Sequence, residues 1–250
     1  MPSGESNHDV QVVAARLAET ERLNEELRAR NRVVQEFVAI TSHELRSPLA
    51  SIGGFASTLL HYWDSISEED KKKYLSVIDK QVQRINRLID DLLTVSRIEA
   101  GALESSPITL NAVGAIRQAL QEVGPEGAEV GVEGDEDLEV FADPDQLQQM
   151  LVNYLVNALK YGAAPVWVEA RDASSSVEIR VRDSGEGIPD DFIPQLFQKY
   201  ARADTAASRK SKGTGLGLAV VRGLAEANGG EAWYEPEPMG ACFAVRLPKP

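Results

Sequence analysis

Cysteine is almost absent from the chain. A single residue, Cys242, accounts for all of it, so no internal disulfide forms and a reducing cytosol is the expected compartment. No run of about 18 apolar residues exists to cross a bilayer, and the N-terminus carries no signal-peptide pattern. The expectation is a soluble chain without a membrane segment. Positive charge is also short: 26 Lys and Arg stand against 39 Asp and Glu, for a net charge of -13. That balance argues against nucleic acid or an anionic membrane surface as the main partner. It still permits a nucleotide held locally by glycine loops and a metal. Histidine occurs three times. What is plentiful is apolar side chain, 43% of 250 residues, enough for one large domain or two modest ones.

After a small, polar start over residues 1–8, a stripe begins: Val10, Val13, Leu17, Thr20, Asn24, Leu27, Asn31, Val34, Val38, Thr41. The spacing alternates three and four, with charged residues between. This predicts a coiled coil over a lone amphipathic helix. Asn24 and Asn31 share one class of heptad site, where a buried amide fixes register and strand number. If Val38 takes position a, His43 falls at f, the most solvent-facing site. Pro48, five residues on, removes a backbone donor and should kink the helix; Gly53 and Gly54 loosen it further. A turn follows at 63–67. Ser67 and the acidic run Glu68, Glu69, Asp70 then open a second helix. Its apolar face runs through Leu75, Ile78, Val82, Ile85, Ile89 and Leu92 to Val95, and Gly101 ends it. Two such hairpins would close into a four-helix bundle. The expected divisions are a coiled-coil linker over 1–36, a dimerising hairpin over 37–104 and a second domain over 105–250.

In that second domain helices are expected at 112–122, at 144–161 with Asp143 as its cap, and at 215–227. Alternating runs at 166–170 and 177–181 read as strands joined by a turn at 172–176, with two more near Trp233 and at 243–247. The acidic, glycine-rich stretch GPEGAEVGVEGDEDLEV lies between. Helices with mostly hairpin-linked strands suggest a two-layer α/β sandwich.

Three stretches of this domain carry chemistry. In NYLVNALKYG, Asn153 and Asn157 lie one helical turn apart and share a face with Gln149 and Lys160. Asparagine is a mediocre helix former, so the stripe is either solvated or functional. An amide oxygen is a hard ligand of the kind Mg²⁺ takes beside phosphates and water. In RDSGEGIPD, Asp183 ends a strand and Gly185 and Gly187 follow, allowing a tight turn and close ligand approach. By itself that is an ordinary turn, although the aspartate could accept from an exocyclic amine. In GTGLGLAVV, Gly213, Gly215 and Gly217 open an apolar helix, and backbone donors at a helix start suit phosphate. It is neither a P-loop nor a dinucleotide fingerprint, since no Gly-Lys-Ser/Thr ends it and Leu218 stands where a third glycine would be. The polar, basic stretch QKYARADTAASRKSK between them has the makings of a mobile lid.

Taken together and in order, these stretches resemble the catalytic core of a sensor histidine kinase over about residues 35–250. SHELRSPL resembles that family's H-box and NYLVNALKYG its N-box. DSGEGIP and GTGLGL resemble its two glycine boxes, and LFQKYARA its F-box. The resemblance implies that His43 accepts a phosphoryl group from ATP and that Glu44 is the adjacent base. It implies that Asn157 holds Mg²⁺ with Asn153 nearby, and that Lys160 and Tyr161 approach the phosphates or ribose. Asp183 would read the adenine amine. Gly185, Gly187, Gly213, Gly215, Leu216 and Gly217 would bring backbone to the nucleotide, and Phe197 would anchor the lid. The chain would act as a homodimer, pass phosphate to an aspartate of a response regulator, and work in the cytoplasm, free or as the inner part of a membrane-bound sensor. Ser47 departs from the family, which often has threonine or asparagine there to place water for regulator dephosphorylation. A mainly phosphatase output and a non-enzymatic dimeric scaffold are the competing readings. A serine kinase or gyrase-like ATPase would not need the hairpin with His43.

Overall fold

The computed structural model describes residues 5–203 and 213–250. Two long helices come first, α1 (Glu5–Tyr62) and α2 (Glu68–Glu99), joined by a short 3₁₀ turn at Trp63–Ser65. α2 begins as its sequence dictates: Ser67 Oγ accepts from the Asp70 amide at 3.1 Å, satisfying one of the unpaired first-turn donors. It stops before Gly101, whose φ of 62° suits a residue without Cβ. α1 stays helical through Pro48, which is buried. The proline removes one donor to the Glu44 carbonyl without ending the helix. α1 also passes without a break through residues 36 and 37, where the linker was divided from the hairpin. Of the coil stripe, Asn24, Leu27, Asn31 and Val38 are exposed on the single chain, whereas the side chains of Val10, Val13, Leu17 and Val34 lie outside the described residues.

The second half is a two-layer α/β domain. Its elements are β1 (Ile108–Asn111), α3 (Ala112–Val123), β2 (Gly131–Gly134), β3 (Glu139–Ala142) and α4 (Pro144–Tyr161), then β4 (Trp167–Asp172), β5 (Ser176–Asp183), α5 (Gly217–Ala227), β6 (Glu231–Pro236) and β7 (Ala241–Pro248). Five strands form one sheet in the order β2-β4-β5-β7-β6, while β1 and β3 pair separately. All pairs are antiparallel except β2 with β4. One sheet face carries Val177, Ile179 and Val181 from β5 and Phe243, Val245 and Leu247 from β7. It packs against Ile116 of α3, Met150, Leu151 and Leu155 of α4, and Leu224 of α5. The opposite face is held by ion pairs, among them Arg180 to Glu178 at 2.8 Å and Arg246 to Glu178 at 2.7 Å. α4 starts at Asp143, whose carboxylate accepts from the Asp145 and Gln146 amides, with Pro144 in the first turn where no donor is needed.

β1, β2 and β3 were not expected. β2 has the sequence GVEG, too short and too poor in apolar residues to show a strand period. It is fixed by parallel pairing to β4 and by the Trp167 ring lying over Gly131. At the centre of the core Tyr154 is fully buried, and its hydroxyl donates to the Ala244 carbonyl at 2.9 Å. This bond ties α4 to β7. Tyr154→Phe should cost about 1 kcal/mol, a fall in Tm of about 2–4 °C at this chain length. Thermal unfolding by circular dichroism measures it, and an unchanged Tm would mean that the bond adds nothing net.

Candidate active site

His43 projects from α1 with 62% of its side chain exposed, as its f position predicts. Glu44, the next residue, packs into the hairpin and is only 5% exposed. One carboxylate oxygen lies 4.0 Å from His43 Nδ1. The other accepts from Arg84 Nη2 of α2 at 2.6 Å. Arg84 has no signature in the sequence: its partner is 40 positions away, and only the hairpin's register joins them. Ser47 is half-buried one turn after His43.

The second locus is a cavity of about 590 Å³ between α4, the loop after β5 and the start of α5. That volume is in the range of sites for drug-sized ligands. α4 supplies Asn153, Asn157, Lys160 and Tyr161; the loop after β5 supplies Asp183, Gly185 and Gly187; the α5 approach supplies Gly213, Gly215 and Gly217. Sequence stretches some 60 residues apart are therefore one surface. Phe192, Leu196 and Phe243 form apolar wall. Two glycines show why no larger residue would do. A Cβ at Gly213 would stand 2.5 Å from Tyr161 Oη, and Gly215 has φ of +70° with the Ala201 carbonyl 2.7 Å from where a Cβ would be.

Leu216, expected to bring backbone to the nucleotide, keeps its side chain away from the cavity. It is outside the cavity wall, fully buried in the core, with its amide 3.4 Å from Thr214 Oγ1. It anchors the start of α5 while its glycine neighbours face the cavity. Phe197 packs half-buried on the core beside Leu196. Of the expected lid, 198–203 is described, with Lys199 Nζ 2.8 Å from Glu99 of α2; the rest, 204–212, lies outside the described residues.

Asp183 is 8% exposed. Burial pushes its pKa above the usual carboxylate value, against the pull of backbone amides from Gly185, Ala241 and Ala163. The Gly185 amide donates to Oδ1 at 2.8 Å. Lys160 Nζ lies 3.0 Å from Tyr161 Oη on the cavity's polar side. Among the described residues no cluster of three or more His, Cys, Asp or Glu exists to hold a metal alone. Two side-chain amides line the cavity, Asn153 and Asn157; amide oxygens alone would not fill a cation's shell, so it would need oxygens from its ligand as well.

The cavity also has one wall residue from the hairpin, Asp91 of α2. Its Oδ1 accepts from Asn153 Nδ2 and from Gln149 Nε2, each at 3.2 Å. Asn153 thus faces a carboxylate of the other domain, a pairing the helical spacing does not reveal. His43 does not line the cavity. Glu44 sits level with Arg84, and Asp91 is seven residues further along α2, roughly 10 Å of helix axis.

Residues 33–101 match the His Kinase A (phospho-acceptor) domain. Residues 142–250 match the family described as histidine kinase-, DNA gyrase B- and HSP90-like ATPase. The circadian input-output histidine kinase CikA of Synechococcus elongatus is 35% identical over 231 residues, 88% of this chain and 31% of CikA. The sensor histidine kinase YkoH of Bacillus subtilis is 34% identical, over 85% of this chain and 47% of its own length. The chain therefore spans less than half of these relatives. Among solved structures, the histidine kinase AdeS of Acinetobacter baumannii has a TM-score of 0.59 at 23% identity, covering 83% of this chain and 98% of AdeS. The histidine kinase ThkA, in complex with the response regulator TrrA, has a TM-score of 0.56 at 24% identity, covering 89% of this chain and 64% of that one. These two likenesses concern the fold.

The raised pKa of Asp183 gives a test of its place in the site. An ionised carboxylate accepts hydrogen bonds better than a neutral one, and burial makes Asp183 lose its charge at higher pH than a surface carboxylate. Affinity for a non-hydrolysable ATP analogue should fall as pH is lowered through mild acid, and Asp183→Asn should flatten that dependence. Titration calorimetry across pH measures both, and parallel slopes would place the nucleotide elsewhere.

Proposed function

The chain belongs to the sensor histidine kinases, and we propose that it uses ATP to phosphorylate His43 and then passes the phosphoryl group to an aspartate of a response regulator. The observation that carries this reading is an exposed imidazole beside a buried, oriented carboxylate, on a hairpin that ends in a cavity of nucleotide size. A scaffold would need neither.

In this reading the cavity takes the adenine against its apolar wall, with Asp183 accepting from the exocyclic amine. Lys160 and the backbone around Gly213, Gly215 and Gly217 face the phosphates, where main-chain donors and one cation offset negative charge. Asn157 would hold Mg²⁺, and a single amide oxygen fits a cation that keeps water and phosphate for its remaining positions. When bound, that cation supplies charge neutralisation of the polyphosphate. His43 Nε2 attacks the γ-phosphorus while Nδ1 gives its proton to Glu44. The product is a phosphoramidate, reactive enough to phosphorylate a carboxylate.

Dimerisation is part of the proposal. The hairpin leaves Leu49, Leu60, Leu75, Val82, Ile89 and Leu93 exposed, more apolar surface than a lone hairpin tolerates in water. A second copy completing a four-helix bundle covers such a surface, and the open Asn24 and Asn31 positions extend the seam. A response regulator is the partner class that ThkA, a protein of this fold, binds in its solved complex. Ser47 has a hydroxyl one turn from His43 but lacks threonine's methyl and its restricted rotamer. This favours kinase output with weak phosphatase activity. Among the described residues no helix is long and apolar enough to cross a membrane.

Incubation with Mg-ATP should label the protein in an acid-labile, base-stable form. His43→Gln should abolish the label and leave nucleotide affinity as in the parent. Label that survives the substitution would move the phosphoacceptor to another residue.

A further inference from the structure

Glu44 is a carboxylate almost wholly removed from water, yet the proposed chemistry requires it to turn one oxygen toward an exposed ring. A buried carboxylate without a partner is strongly destabilising, and one with several partners would have no oxygen to spare. The geometry solves both problems with a single donor. Arg84 Nη2 takes Oε2 at 2.6 Å, while Oε1 is left on the His43 side at 4.0 Å from Nδ1. Only one of the guanidinium's nitrogens engages the carboxylate. The pair joins α1 to α2 at the level of the phosphoacceptor, and Arg84 is itself 36% exposed.

We infer that Arg84 is a positioning residue for the phosphorylation of His43: it binds one oxygen of Glu44 and so directs the other at Nδ1. This rests on the reading of Glu44 as the proton acceptor. In the step concerned, the His43 Nε2 lone pair forms the bond to the γ-phosphorus. The bond from that phosphorus to the β,γ-bridging oxygen breaks, and its electrons leave with ADP. The Nδ1 proton passes to Glu44 Oε1 and from there to water. Arg84 gives up no proton; it only fixes the angle from which Oε1 meets the ring. Without it neither oxygen is directed at Nδ1, and small misplacements of a reacting group lower rates by large factors, on the order of 10²-fold.

A merely structural clamp would show itself in stability and would act whatever stands at position 44. The test is therefore a double-substitution cycle on the whole chain, read as the rate and the ATP dependence of His43 labelling, with Tm and oligomeric state measured alongside. Arg84→Met should slow labelling at saturating Mg-ATP by about tenfold or more with KM for ATP unchanged, and Arg84→Lys should keep part of the rate. In the Glu44→Gln background Arg84→Met should have no further effect. Methylguanidinium added to Arg84→Ala should restore labelling, and should not restore it to Glu44→Gln. Parent-rate labelling by Arg84→Met beside a slow Glu44→Gln overturns the inference alone. So does an equal fold-loss in both backgrounds, absence of methylguanidinium rescue, or a loss that tracks KM or Tm. Parent-rate labelling by Glu44→Gln overturns the reading of Glu44 as base, and the role of Arg84 with it.

Discussion

One half-buried carboxylate, Asp91, joins the two halves of the molecule. It leaves the hairpin on α2 and ends in the wall of the cavity, where Asn153 and Gln149 of α4 both donate to it. Burial raises its pKa; those two amides pull it back, Asp90 adds to the rise and Arg87 opposes it. Around this point the contacts are of the same modest kind. Thr94 reaches Gln149 at 3.3 Å, Glu99 meets Lys199 at 2.8 Å, and Ile98 lies over Gly223 of α5. Val95 alone of α2's apolar residues is buried within the domain core. Three hydrogen bonds of 3.2–3.3 Å, one ion pair and a few apolar contacts make a modest interface, of the kind across which relative domain motion is the default expectation, in contrast to the close-packed core beneath it. The consequence for function is spatial. While Asp91 is bound to Asn153, the cavity faces α2 above the phosphoacceptor, and His43 stands outside it.

The segment between α2 and β1 is held more firmly. Asn228, just after α5, accepts from the Ser105 hydroxyl at 2.9 Å and the Asp143 amide at 2.8 Å, and donates to Gln146 Oε1 at 2.7 Å and the Leu224 carbonyl at 2.8 Å. Gln146 in turn donates to the Glu104 carbonyl at 2.7 Å, and the Ser106 amide to Asp143 at 2.9 Å. Three segments distant in sequence meet at one side chain whose amide oxygen and nitrogen are both paired, so this corner is specified rather than merely filled. These bonds lie away from the contact with α2, so they do not depend on it.

Much of the frame was legible because it depends on local rules. The bounds of α4 follow from Asp143, Pro144 and the apolar period, and the start of α2 follows from Ser67. The cavity was legible as motifs, since asparagines on one helix face and glycines at spacing two are local patterns. What escaped was set by distance in sequence. Arg84, Asp91 and Asn228 look like ordinary surface polar residues until the register of the hairpin and the docking of α4 give them partners. β2 needed its parallel neighbour to be a strand at all. Leu216 was assigned to the nucleotide by its place between glycines. The helix start turns its side chain inward, a distinction that a motif cannot express.

The arrangement makes one measurement more direct than the rest. A side chain at position 223 would begin 2.9 Å from Ile98 Cγ1, near enough for Ile98→Cys and Gly223→Cys to form a disulfide, and the native Cys242 is buried. Oxidation would lock the ATP-binding domain onto α2 in the arrangement seen here. The locked protein is expected to bind an ATP analogue as the reduced protein does, to leave His43 unphosphorylated with Mg-ATP, and to recover labelling on reduction. Phosphorylation of His43 at the same rate in the oxidised and reduced forms would contradict the proposal that the ATP-binding domain parts from α2 to reach the histidine.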